Sequence, residues 1–166
     1  KKSDEESQHK GSSSFFNESE IKRIKTTLDF LNKSYKKIEK KPSVGVITFY
    51  GSQLSELTSL EKKGFWRLPR EDRNYPHLDI RFGTVDRFQG QEKDIIIVSL
   101  VRNNKRHEVG FAKKPHRINV AFSRARNLLI IVGNPDNFRF GNNEKSAQQY
   151  DEIFNIAKKF GSVKGE

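Results

Sequence analysis

The chain has no cysteine and no methionine, and only four histidines in 166 residues. Without thiols it has no disulfide, no thiolate zinc site and no cysteine nucleophile. That absence agrees with a reducing interior, so an intracellular, cytoplasmic setting is the expectation. His9, His77, His107 and His116 stand at no ligand spacing, so no metal site is expected. The longest apolar runs are far too short to cross a bilayer. No Gly-x-x-x-x-Gly-Lys-Ser/Thr segment occurs, so the chain lacks a phosphate loop of its own. No Asp-Glu pair follows an apolar run where it could hold magnesium, and the acids show no spacing that suits a small nuclease. A start at Lys1 and the lack of methionine lead us to expect a piece of a longer protein.

What is present is basic charge. There are 32 Lys and Arg against 21 Asp and Glu, a net charge of +11. Such a balance points to a polyanionic partner, of which nucleic acid is the usual one. A lysine-rich solvated surface would carry the same charge, but the distribution favours a partner. Between Arg102 and Arg126 there are eight Lys or Arg and one acid, Glu108, so +7 of the +11 lies there. A chain of this length fits one domain with a real core.

Residues 1–14 are charged and serine-rich without an apolar period, and read as a flexible lead-in. Residues 15–166 read as one domain. Asn17 has the character of a helix cap, with Glu20 as its capping-box partner. Ile21, Ile24, Leu28, Leu31, Tyr35 and Ile38 follow at spacings of three and four, the apolar stripe of an amphipathic helix that Pro42 ends. Residues 44–49 read as a buried strand, and 51–63 as a helix through Leu54, Leu57 and Leu60, capped by Gly64. Residues 65–77, with Trp66, Pro69 and Pro76, read as an irregular insertion. Further strands are expected at 78–85, 94–101 and 128–132. Pro115 suits the first turn of a helix running to about Arg126. A short helical turn from Asp136 and a last helix over 144–160, burying Ala147, Tyr150, Phe154, Ala157 and Phe160, complete the pattern. Strands apolar on successive residues are covered on both faces, as in parallel sheets. Their alternation with helices predicts a layered α/β domain.

Two stretches carry chemistry. One is Thr84-Val85-Asp86-Arg87-Phe88-Gln89-Gly90-Gln91-Glu92-Lys93-Asp94, and the other is Arg117-Ile118-Asn119-Val120-Ala121-Phe122-Ser123-Arg124-Ala125-Arg126. Each puts phosphate-competent residues where a buried strand meets a turn or helix, and open α/β sheets bind ligands at such edges. On a helix from Pro115 to Arg126, Arg117 and Arg124 share one face, while Arg126 points roughly 200° away from Arg124. A rigid helix holding a guanidinium in a fixed direction is how an arginine finger is built. Read alone, the same helix is more simply an ordinary salt-bridged surface helix. In the first stretch Thr84 offers a hydroxyl, and Gly90 lets a backbone N–H approach a ligand closely. Gln89 and Glu92 add a neutral hydrogen-bonding group and a carboxylate able to accept from ribose hydroxyls. A lone Gln-Gly-x-Glu is a weak signal, because such residues also cap one another.

Together the segments Val85-Asp86-x-Phe88-Gln89-Gly90-x-Glu92-x-Asp94, Ser99-x-Val101-Arg102, Gly110-Phe111, Arg117-x-Asn119-Val120-Ala121-x-Ser123-Arg124-Ala125-Arg126 and Gly133-Asn134 resemble motifs V and VI of superfamily 1 helicases. The branch is that of the nonsense-mediated-decay helicase, senataxin and related bacterial DNA helicases. Upstream, Val46-Ile47-Thr48-x-Tyr50-x-x-Gln53 is similar to that family's Thr-Pro-Tyr-x-x-Gln segment, with Phe49 in place of proline. Gly11-Ser12-Ser13 to Asn17-x-x-Glu20 resembles the approach to the domain's first helix. The resemblance spans about residues 10–140. It implies a three-layer RecA-like, P-loop NTPase-type domain with a mostly parallel sheet, the second of two. ATP and Mg2+ would be bound mainly by the N-terminal RecA-like domain of the same parent polypeptide. It further implies Arg124 as the catalytic arginine finger, Glu92 at the ribose or nucleotide edge and the Gly90 amide near the γ-phosphate. Gln89 and Arg117 would be further ATP-binding residues. Thr48, Tyr50, Gln53 and Thr84 would lie nearer a track for single-stranded DNA or RNA. The 103–114 loop is a candidate strand contact. The fragment alone is not expected to hydrolyse ATP. The alternative is a non-catalytic nucleic-acid-binding or scaffolding module.

Overall fold

The computed structural model describes residues 4–39, 41–63 and 75–162. From the amino end, β1 (Ser7–Gln8) pairs antiparallel with β2 (Phe15–Phe16), and α1 (Glu18–Ser34) follows. Next come β3 (Ser43–Thr48), α2 (Gly51–Lys62), β4 (Asp79–Thr84), β5 (Lys93–Ser99), α3 (Pro115–Phe122), β6 (Ala125–Val132), α4 (Pro135–Arg139) and α5 (Glu144–Phe160). The four longer strands form one parallel sheet in the order β4-β3-β5-β6.

Successive residues of a strand face opposite sides, so strands apolar at every position build two cores. Val44, Val46, Ile95 and Ile97 are buried with Ile21, Ile24, Leu28, Leu31 and Leu57 of α1 and α2. Ile47, Ile96 and Val98 are buried on the other side with Ile118, Ala121, Phe138, Tyr150 and Phe154 of α3, α4 and α5. The result is the expected helix-sheet-helix layering of a RecA-like domain. No helix among the described residues is long and apolar enough to cross a membrane.

Several local expectations change. The helix α1 stops at Ser34, a 3-10 turn spans Tyr35–Lys37, and Ile38 is exposed beyond it. The apolar stripe therefore ends before Ile38, well short of Pro42. At the far end, α5 buries Tyr150 and Phe154 but leaves Phe160 at 77% exposure. Of the lead-in 1–14, residues 4–14 are described, and Asp4 and Glu6 bond to the segment after β5. Glu6 there accepts hydrogen bonds from Arg102 Nε at 2.9 Å and from the Asn103 backbone N–H at 2.6 Å. The Gly64 cap and the insertion residues Trp66 and Pro69 lie outside the described residues. The insertion's end is pinned to α1, where Tyr75 Oη donates to Asp29 Oδ1 at 2.7 Å and the His77 backbone N–H to Asn32 Oδ1 at 2.9 Å.

The connection from β4 back to β5 positions the site. It opens with a 3-10 turn over Val85–Phe88. Phe88 is fully buried on the sheet. It lies where Gly45 and Gly83 leave room, since a Cβ on either would come within 2.7 Å of the ring. Burying a phenylalanine contributes about 1.5–3 kcal/mol, enough to seat the turn that follows.

Candidate functional site

At the amino ends of β5 and β6, Lys93 is in register with Ala125, and the Lys93 backbone N–H donates to the Arg124 carbonyl at 3.0 Å. This pairing corrects the expected helix. Chain pairing begins at Ala125, so α3 ends at Phe122 with Ser123 as its cap. Arg117 is helical, Arg124 sits in the corner between helix and strand, and Arg126 is in β6. They do not share a helix face. Strand pairing wins over helix continuation because it adds backbone bonds to a sheet already formed. The edge is also the amino edge of the sheet, opposite the carboxyl edge where open α/β sheets usually bind ligands.

The corner holds Arg124 differently from its neighbours. Its Nε and Nη2 donate to the Ser123 hydroxyl at 3.3 and 2.8 Å, and among the described residues it has no carboxylate partner. Arg126 leans on Glu92 at 3.3 Å and on Asp94 at 3.7 Å. Asp94 in turn accepts from the Ser43 N–H and hydroxyl, both at 2.8 Å, tying β5 to β3. Gln89, Gly90 and Glu92 are all exposed on the turn before β5. Gly90 has a left-handed backbone (φ 73°), and a Cβ there would meet nothing within 4 Å. A ligand could therefore approach the main chain closely at this point. Arg117, expected on the nucleotide, pairs with Asp86. Two parallel bonds of 3.1 and 2.8 Å join them, and they fasten α3 to the Val85–Phe88 turn. Such a bidentate fork is specific in geometry.

At the opposite, carboxyl edge, Thr84, Thr48 and Ser99 stand side by side in register. Three of the four residues expected along a nucleic-acid track are buried here: Thr48, Tyr50 and Gln53. Tyr50 Oη donates to the Val109 carbonyl at 2.8 Å, and Thr48 Oγ1 accepts from the Tyr50 N–H at 3.3 Å. Gln53 accepts from the Asn17 N–H at 2.9 Å and donates to Ser99 Oγ at 3.0 Å. These side chains hold the edge from beneath rather than offering themselves to a ligand, and Thr84 alone of the four is partly exposed.

Glu20 is the residue whose place the sequence reading missed. Asn17 does cap α1, accepting from the Glu20 N–H at 3.1 Å. The Glu20 side chain does not complete a capping box. It reaches across to the end of β5, where Oε2 meets the Ser99 hydroxyl at 2.6 Å and Oε1 accepts from the Val101 N–H at 2.8 Å. It is 3% exposed. Burial pushes its pKa from an ordinary 4.5 up to about 8, the hydrogen bonds from Ser99 and Val101 opposing. The available signal was periodicity: Glu20 precedes Ile24 by four and so lies on the apolar stripe itself.

Among the described residues no group of His, Asp or Glu could hold a metal ion. The amino-edge residues suit a phosphate or ribose, being exposed donors beside a carboxylate. A bound Mg2+ would need ligands from elsewhere.

Comparison with known proteins adds an independent finding. A family model described as an AAA domain matches residues 1–136. The chain is 42% identical over 119 residues to the DNA polymerase alpha-associated DNA helicase A of Saccharomyces cerevisiae, covering 72% of this chain and 16% of that protein. It is 40% identical over 123 residues to a regulator of nonsense transcripts 1 homolog of Drosophila melanogaster, covering 74% and 10%. It is 36% identical over 126 residues to helicase sen1 of Schizosaccharomyces pombe, covering 76% and 7%. The chain thus spans at most about a sixth of the length of these curated relatives.

Proposed function

Because the chain belongs to the AAA-domain family, among the superfamily 1 helicases of the nonsense-mediated-decay and senataxin branch, we propose that it is the carboxyl-terminal RecA-like domain of an ATP-dependent helicase. In this reading Arg124 is the arginine finger. One observation carries it: of the three arginines of the 117–126 segment, Arg124 alone has no carboxylate partner among the described residues, while Arg117 and Arg126 are ion-paired. A guanidinium without a resident counter-charge has the most to gain from an incoming phosphate, and most where phosphate charge rises in the transition state. Ser123 keeps the group oriented before the ligand arrives. Gly90 would offer its backbone amide, and Glu92 would accept from a ribose hydroxyl once Arg126 leans fully on Asp94. Arg117 acts at one remove, by locking α3 to the turn.

ATP, when bound, supplies the phosphoryl group that is transferred to water. The phosphate loop and the magnesium ligands belong, in this reading, to the other lobe of the parent protein. This chain's part is to bring positive charge and orientation across the cleft, and the fragment alone does not turn over ATP. The nucleic-acid partner, single-stranded DNA or RNA, is supported by four exposed cations, Lys105, Arg106, Lys113 and Lys114, in the same loop as Phe111, which is 50% exposed and has the Arg117 guanidinium 6.0 Å from its ring centroid. Cations beside an aromatic face form a sequence-tolerant stacking surface.

The test is Arg124→Ala in the full-length helicase. Turnover should fall by about 10³–10⁵ while ATP affinity stays within a few fold. Normal turnover in that variant would remove Arg124 from the mechanism.

A further inference from the structure

We propose that Glu20 is a positioning residue: its buried carboxyl holds Val101 in a left-handed backbone conformation and so fixes the root of the basic 102–114 loop. That this loop contacts nucleic acid rests on the reading above; that Glu20 fixes it does not.

Val101 has φ 70° and a fully buried side chain. A β-branched residue in that region is a true outlier, strained by about 1–3 kcal/mol, and persists only where its surroundings over-determine it. Here both polar groups of the residue are clamped from α1. Its N–H donates to Glu20 Oε1 at 2.8 Å, and its carbonyl accepts from Asn17 Nδ2 at 3.2 Å. The second Glu20 oxygen closes a ring through Ser99, Gln53 and back to the Asn17 N–H. The Arg23 charge, one helical turn along α1, also acts on this carboxyl and favours its ionised form. The 2.6 Å contact with Ser99 serves with either group as donor, so the clamp does not require the ionised form.

The strained residue stands where the chain leaves the sheet. Arg102 follows, buried over the Phe15 ring at 4.0 Å and paired with Glu6 at 2.9 Å. The loop closes against it at Gly110, where a Cβ would come within 2.6 Å of Arg102 Nη1 and Tyr50 Oη. The direction in which Lys105, Arg106, Phe111, Lys113 and Lys114 are displayed is therefore set at Val101.

Hydrogen exchange on the 166-residue chain reads the loop directly, and binding of a fluorescein-labelled oligo-dT or oligo-U reads the consequence. Glu20→Ala should speed exchange of the 102–114 amides and weaken oligonucleotide binding, each by about tenfold, with Glu20→Gln intermediate because it keeps an acceptor for the Val101 N–H. The discriminating variant is Val101→Gly on the Glu20→Ala background. Glycine adopts φ 70° without strain, so the double variant should regain protection even though it has lost a buried side chain. A Glu20 that merely adds stability makes the opposite prediction, with the second lesion adding to the first. Additive lesions, or wild-type exchange in both Glu20 variants, overturn the proposal. Altered exchange with unchanged oligonucleotide binding upholds Glu20's role and overturns the nucleic-acid reading of the loop.

Discussion

At the amino ends of β5 and β6 the charges stand in water, with the Arg126 and Glu92 side chains 55% and 57% exposed. At the carboxyl ends of β3 and β5, Gln53, Ser99 and Glu20 are buried and bonded in a chain, and Thr48 is buried beside them, accepting from the Tyr50 N–H. The two edges of one sheet thus differ in what it costs to rearrange them. An exposed ion pair contributes about 0–1 kcal/mol and can be exchanged for a ligand. A buried polar network leaves an unsatisfied group when broken, at about 1–3 kcal/mol or more for each. The amino edge is suited to making and releasing contacts during a cycle. The carboxyl edge is suited to holding a loop in one orientation.

The sharpest way to break this comparison is at Arg124, where a 10³–10⁵ loss of turnover corresponds to about 4–7 kcal/mol of transition-state stabilisation. A loss confined to ATP affinity would make the amino edge a binding surface only. Next in size is Phe88→Ala, which empties the seat between Gly45 and Gly83 and should cost about 3–5 kcal/mol in urea unfolding. It should also loosen the Gln89–Glu92 turn, read as faster amide exchange there. The carboxyl edge can be tested by pH. The folded chain holds the Glu20 proton up to about pH 8, whereas the unfolded chain releases it near 4.5. This contribution to stability is complete below the lower value and is lost as the pH rises through the higher one. Urea unfolding from about pH 5 to 9 should show that decline, and Glu20→Gln should flatten it. A wild-type profile in the Gln variant would place the titration elsewhere. The smallest effect is expected for Arg126→Ala, within about 0.5 kcal/mol of wild type because both partners are solvated. A loss of several kcal/mol there would erase the contrast between the edges.

The residues bearing the two helicase-like motifs were legible as motifs, but their roles were not all legible from spacing. Arg117 and Arg124 were separable only once Asp86 was seen beside one of them and not the other. Arg126, set aside because a helix would have pointed it away, lies on the same edge as Glu92 once the helix ends early. The lead-in shows no apolar period because the anchor of its Glu6, Arg102, is almost a hundred residues away in the chain.

What the sequence determined by itself is the layered sheet, because strands apolar on successive residues have to be covered on both faces. It also determined the helix starts at Asn17 and Pro115, where capping and proline geometry are local, and the family, because the motifs occur in order. The tertiary structure alone decided where α3 stops, which of Arg117, Arg124 and Arg126 lacks a carboxylate partner among the described residues, and that Glu20 turns inward to Val101. Each of these depends on which backbone and side-chain groups meet across the sheet, and hydrogen bonds between residues eighty positions apart leave no period in the chain to read.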